Sequence, residues 1–235
     1  QTCALPILFN AMVKPWTAFP IKGVIWYQGE ANVGRSEQYG DLFPALITDW
    51  RRQWRSDFPF YFVQLANFME SKKIQPDSEW AALREAQTKA LKLDQVGMVV
   101  TIDIGLADDI HPKNKQEVGR RLALVALAGS YGKNVSSSAP VFQNYIIKGN
   151  KMELDFGQKQ DGFQIKGTTL KGFTIAGPDR VFYPAEAMVH DGKIILSSTE
   201  VPAPLAARYG WADNPDCNLY GENGLPVAPF RTDCW

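Results

Sequence analysis

Only two histidines occur in the 235 residues, and one of them has neighbours that could do chemistry. His111 lies in Asp108-Asp109-Ile110-His111-Pro112, between an apolar run and a helical pattern. Imidazole is the usual general base for a hydroxyl nucleophile because it titrates near neutrality. A nearby carboxylate can accept the second ring N–H, fix the tautomer and stabilise the imidazolium. Asp109 and Asp108 offer that partner as Asp-x-His and Asp-x-x-His. An Asp-His pair alone is weak evidence, since either aspartate could cap the helix that follows. His190, in Val189-His190-Asp191-Gly192, reads as a solvated hairpin residue.

A second polar cluster, Gln28, Gly29, Glu30 and Asn32, follows the apolar run Gly23–Tyr27. Gln28 and Asn32 carry neutral amide donors suited to an oxyanion that develops during acyl transfer. Glu30 stands between them, either as a structural acceptor for a loop or helix end or as a catalytic carboxylate.

The elements that must position these clusters follow from hydrophobic periodicity. Gly23–Tyr27, Phe60–Leu65 and Val96–Ile102 are short continuous apolar runs, as expected of strands buried on both faces. Between and after them, Tyr39 to Trp54, Trp80 to Leu93 and Asn114 to Ala128 repeat at helical spacing or are rich in helix formers. Strands alternating with helices predict an α/β core, a parallel sheet covered on both sides. Ligands of such sheets bind beyond the carboxyl ends of the strands, where both polar clusters fall. Leu8 to Ala18 reads as a helix tail and a loop. After Gly129 the pattern changes: Ser136–Pro140 reads as a linker, and short alternating segments predict an antiparallel β-rich module over 140–235. Gly149-Asn150 and Asp191-Gly192 are its hairpin signals.

Twenty-five basic and twenty-five acidic residues cancel, so no overall field attracts nucleic acid or an anionic membrane. No apolar stretch approaches the roughly 20 residues of a membrane span. Arg51, Arg52 and Arg55 read as a solvated helix face. With Cys3 set aside among residues 1–7, Cys217 and Cys234 in no ligand spacing make no zinc site, and their pairing stays open. Residues 1–7, Gln1-Thr2-Cys3-Ala4-Leu5-Pro6-Ile7, read like the translation of a common sequencing-library adapter, and an artefact is expected there. They show no charged segment followed by an apolar one, so they do not read as a signal peptide.

Longer segments carry a resemblance. Trp26-Tyr27-Gln28-Gly29-Glu30-Ala31-Asn32 resembles the Trp-Tyr-Gln-Gly-Glu-Ser-Asn segment of the sialate O-acetylesterase family. Asp109-Ile110-His111-Pro112-Lys113-Asn114-Lys115-Gln116 resembles its catalytic-histidine block. Tyr209 to Pro215, Cys217 to Tyr220 and Pro229 to Asp233 resemble its C-terminal signature. The resemblance implies a three-layer α/β/α SGNH (flavodoxin-like) hydrolase core over 8–135, followed by the β-rich module. It implies a serine esterase that removes O-acetyl groups from sugars, typically sialic acids, without metal or organic cofactor. In that scheme His111 is the base, Asp109 or Asp108 orients it, and Gln28, Glu30 and Asn32 fall in the oxyanion and substrate block.

The departures carry as much weight. The family's nucleophilic Gly-x-Ser block lies upstream of everything present here, and the glycine block that completes the oxyanion hole is also missing. The one Gly-x-Ser, Gly34-Arg35-Ser36, reads as a helix start with Ser36 as N-cap. Ala31 and Cys234 stand where the family often has Ser and Asp. The chain is therefore expected to be the C-terminal portion of a longer, periplasmic or secreted enzyme, inactive alone. Its missing segment would supply a strand, leaving an exposed sheet edge that favours aggregation. Acetylated xylan or another plant glycan could replace sialic acid as substrate. Two other classes remain: a glycoside hydrolase using Glu30 and Asp109, which would need carboxylates about 5 to 10 Å apart, and a non-catalytic carbohydrate-binding protein built on 140–235.

Overall fold

The computed structural model describes residues 9–157 and 162–235. The adapter-like residues 1–7, with Cys3, lie outside the described residues. Three strands, β1 (Val24–Trp26), β2 (Phe60–Val63) and β3 (Val96–Val99), pair in parallel in the order β1-β2-β3. Three longer helices flank them: α1 (Ser36–Trp54), α2 (Glu79–Thr88) and α3 (Lys115–Gly129).

Alternation along β2 divides the layers. Phe60 and Phe62 face Tyr39, Phe43 and Ile47 of α1 and Leu83 and Ala86 of α2. Tyr61 faces the other way, toward Val125 of α3. Helices therefore cover both faces, as the apolar runs predict. Phe60, Phe62 and Ile47 are completely buried, each side chain stabilising the fold by about 1.5–3 kcal/mol. Phe43 meets Phe62 edge to face at 5.1 Å, the geometry that aromatic quadrupoles favour.

Two local expectations are corrected. β1 was expected to be buried on both faces, yet Ile25 is 69% exposed. β1 is an edge strand of the described sheet, and α3 packs chiefly on β2 and β3. Ser36 is not an N-cap: Arg35 occupies that position without a side-chain cap bond, and Ser36 begins the helix. The segment after Leu8 forms two short turns, a π-helix (Phe9–Val13) and a 3₁₀-helix (Lys14–Ala18).

The second half is antiparallel. β4 (Asn144–Lys148), β5 (Lys151–Asp155), β6 (Phe163–Ile165), β7 (Phe173–Ala176), β8 (Phe182–Pro184), β9 (Glu186–His190), β10 (Lys193–Ser197), β11 (Ala206–Tyr209), β12 (Leu219–Gly221) and β13 (Phe230–Arg231) follow in turn. They form sheets ordered β4-β5-β10-β9, β13-β11-β7-β8 and β12-β6. Both expected hairpins are present, with Asp191 and Gly192 at positive φ between β9 and β10. Their cluster around Met152, Leu154, Ile175, Ile194 and Tyr209 is separate from that of the α/β half. Polar bonds join the two halves: Arg231 grips Glu85 with two bonds of 2.9 Å, and Tyr220 Oη donates to Asp103 at 3.2 Å. Cys217 and Cys234 are both free thiols.

Candidate active site

Both polar clusters meet at one end of the parallel sheet. A cavity of about 350 Å³ is lined by Tyr27, Gln28, Glu30, Ala31, Ile110, His111, Pro112 and Lys115. It joins the loop after β1 to the loop after β3, the placement expected for an α/β ligand site.

The β1 loop is held from two helices. Tyr39 Oη, on α1, donates toward the Gln28 carbonyl at 3.3 Å and its side-chain Oε1 at 3.2 Å. Gln87 on α2 is fully buried, and its amide nitrogen reaches the carbonyls of Gln28 and Val63, both at 3.3 Å. Its Oε1 accepts from the Leu65 N–H at 2.9 Å, so one side chain ties the ends of β1 and β2 together. The backbone turns sharply at Gly29, at φ 155° and ψ −23°. A Cβ there would lie 3.2 Å from Gln87 Nε2 and from Leu65 Cδ2, and side chains rarely adopt this φ, so the turn favours glycine.

Gln28 Nε2 donates to Asn32 Oδ1 at 2.7 Å, which orients the Asn32 amide. The two amides expected as parallel donors are thus arranged in series. Glu30 opens a short 3₁₀ turn, Glu30–Asn32, and lines the cavity with no hydrogen bond or ion pair to its carboxylate among the described residues. The Tyr27 phenol is pushed up to about 12 by burial, with the Glu30 charge adding to the effect. It therefore stays protonated, a hydrogen-bond donor rather than a base.

His111 is exposed, and its Nδ1 lies 3.5 Å from Asp109 Oδ1. The same Asp109 oxygen accepts the His111 backbone N–H at 2.9 Å, a local turn that holds the loop. Asp108 is exposed and has no hydrogen bond or ion pair among the described residues. Neither aspartate caps α3, because Asn114 does so by accepting from Glu117 N–H at 3.1 Å. Asp103, the first acid after β3, is bound by both terminal nitrogens of Arg121 at 2.7 and 2.9 Å, as part of the scaffold. His190 is solvated at the end of β9, as expected.

Sequence reasoning missed Lys115 as a wall of the cavity, its ammonium 4.9 Å from the Tyr27 ring centroid. It also missed Tyr39 and Gln87, whose helical spacing signals core but not what their polar ends hold. Among the described residues no serine, threonine or cysteine lines this cavity. Ser36 is not in the lining, and Ser130 is bonded to Tyr61 Oη at 2.8 Å. No group of three metal-ligating side chains occurs among the described residues, and no helix there is long and apolar enough to cross a membrane.

Residues 7–128 match the family described as carbohydrate esterase, sialic acid-specific acetylesterase. The chain belongs to that family. Sialate O-acetylesterases of Mus musculus and Homo sapiens are similar, 32% and 31% identical over 254 residues that cover 95% of this chain. The matched part is 46% and 48% of those proteins, so the chain spans about half their length. A crystal structure of a carbohydrate acetylesterase from Xanthomonas citri superposes with a TM-score of 0.90 at 46% identity, over 97% of this chain and 54% of that one. Within this esterase family, the α/β core and the antiparallel half are reproduced together in a solved relative.

Proposed function

We propose that the chain supplies the histidine half of the active site of a serine-type esterase that removes O-acetyl groups from sugars, sialic acids foremost. One observation carries the reading: the cavity joins His111, backed by Asp109, to the amide-bearing end of β1, while among the described residues its lining holds no serine, threonine or cysteine. The nucleophile then comes from outside this 235-residue sequence, in a longer protein that is exported to the periplasm or beyond.

The chemistry runs in two halves. The serine hydroxyl adds to the acetyl carbonyl as His111 takes its proton, and Asp109 stabilises the imidazolium that forms. Asn32, oriented by Gln28, donates to the oxygen that becomes negative. The sugar oxygen leaves with the proton from His111, and water activated by the same imidazole releases acetate from the acetyl-enzyme. No step calls on a metal or organic cofactor.

Removing a triad serine costs on the order of a millionfold in kcat. The 235-residue chain is therefore expected to release acetate from an aryl acetate or an O-acetylated sialic acid no faster than buffer. Extending the coding sequence upstream is expected to bring hydrolysis that His111→Ala abolishes. Hydrolysis by the 235 residues alone, lost in His111→Ala, would put the nucleophile within the chain. Release of reducing sugar in place of acetate would replace the esterase reading with a glycosidase.

A further inference from the structure

Two charged side chains in the cavity have no partner of opposite sign among the described residues. One is Glu30. The other is Lys115, the first residue of α3, which is exposed and rests its ammonium 4.9 Å from the Tyr27 ring centroid. The next cations on the same helix are engaged. Arg120 binds Glu117 at 2.7 Å, and Arg121 binds Glu117 at 2.8 Å and Asp103 at 2.7 Å. A helix that pairs its other cations with carboxylates leaves this one over an aromatic face, four residues from His111, in the wall of the same cavity.

We propose that Lys115 binds the carboxylate of an acidic sugar and so determines specificity in favour of sialic acids over neutral acetylated sugars. This inference rests on the esterase reading and assigns one side chain to the choice among its substrates. An ammonium held over a ring keeps its attraction to the π-face and still has N–H donors for a carboxylate, whose bonds are charge-assisted. Glu30, in the same lining, repels an anion and accepts from hydroxyl or amide N–H groups. Together the two charges favour one orientation of an acidic sugar, with its carboxylate at Lys115 and its neutral polar groups toward Glu30. A neutral sugar offers Lys115 only uncharged oxygen acceptors, without the attraction of opposite charges.

Binding tests this on the 235-residue chain without turnover. Its two histidines give two imidazole signals, His111 reporting the cavity and His190 serving as control. The probes are N-acetylneuraminic acid, the methyl ester of its carboxyl group, and acetylated xylose. The acid is expected to shift His111 and not His190, binding about three- to tenfold tighter than the ester. Lys115→Gln should bring the acid down to the ester's affinity, and Lys115→Arg should keep most of the preference. Lys115 is exposed, so both variants are expected to fold, and an unmoved His190 signal checks that. Equal affinity for acid and ester, or a preference that survives in Lys115→Gln, overturns the assignment. If the ester or acetylated xylose still moves His111 in that case, the esterase reading stands with a neutral substrate. If none of the three probes reaches His111, both fall.

Discussion

Asn67 and Asn214, 147 residues apart in sequence, are bonded side chain to side chain at 2.7 Å. Asn67 also accepts the Gly105 N–H on its Oδ1 at 2.7 Å, where the chain enters the loop that carries His111. Asn214 donates in turn to the Met69 carbonyl at 2.6 Å. The C-terminal signature thus reaches the histidine loop through one side chain. Gly105 allows it, since a Cβ there would lie 1.9 Å from the Asn67 carbonyl oxygen.

Asn214→Ala should therefore loosen a site it does not touch. Losing its bonds is expected to cost about 1–2 kcal/mol. Amide exchange at Gly105 should speed up and the His111 signal should shift, while His190 stays still. An unchanged Gly105 amide would show that the loop is held by other contacts.

Arg84 makes a larger prediction. Its guanidinium is fully buried and donates to the carbonyls of Leu65, Ala66, Ala212 and Asp213 at 2.7–2.8 Å. Two of these belong to the α/β half and two to the C-terminal signature. Arg84→Met fills similar volume but leaves four buried acceptors without that donor, and should destabilise by on the order of 3–5 kcal/mol. The denaturant midpoint measures this; a loss under about 1 kcal/mol would contradict it.

Gly29→Ala tests the turn under Gln28. Its backbone conformation and the neighbouring Gln87 predict a cost of about 1–3 kcal/mol. Because Gln28 and Gln87 share the strain, the His111 signal should move as well. Wild-type stability in the variant would show that the turn tolerates a side chain.

Acid should expose the role of Glu117. Its carboxyl is lowered to about 2, first by the Arg120 hydrogen bond and further by Arg121, with partial burial opposing. A lowered carboxyl stabilises the fold above its unfolded value, near 4.5, and loses that contribution as pH falls through the folded value. Stability against denaturant should decline between about pH 5 and pH 2, and Glu117→Gln should flatten that decline. An identical acid limb in the variant would remove Glu117 from the account.

The sequence by itself determined the alternation of apolar strands and helices, the antiparallel second half, both hairpins and the two polar clusters. These depend on periodicity and turn chemistry, which are local. It also placed Gln28, Glu30 and His111 at strand ends, where the cavity is found. The edge position of β1 was not legible, because Gly23–Tyr27 is equally apolar whether or not a helix covers Ile25. Nor was the series arrangement of Gln28 and Asn32, or the Asn114 cap that freed both aspartates from that duty. Only the tertiary structure decided that Lys115 lines the cavity, that Tyr39 and Gln87 hold the Gln28 turn, and that Asn214 bonds the Asn67 that holds Gly105. Each of these is a contact across eleven to 147 residues, or a choice of direction by one side chain. Local preference fixes which elements form, but packing fixes where their polar ends point.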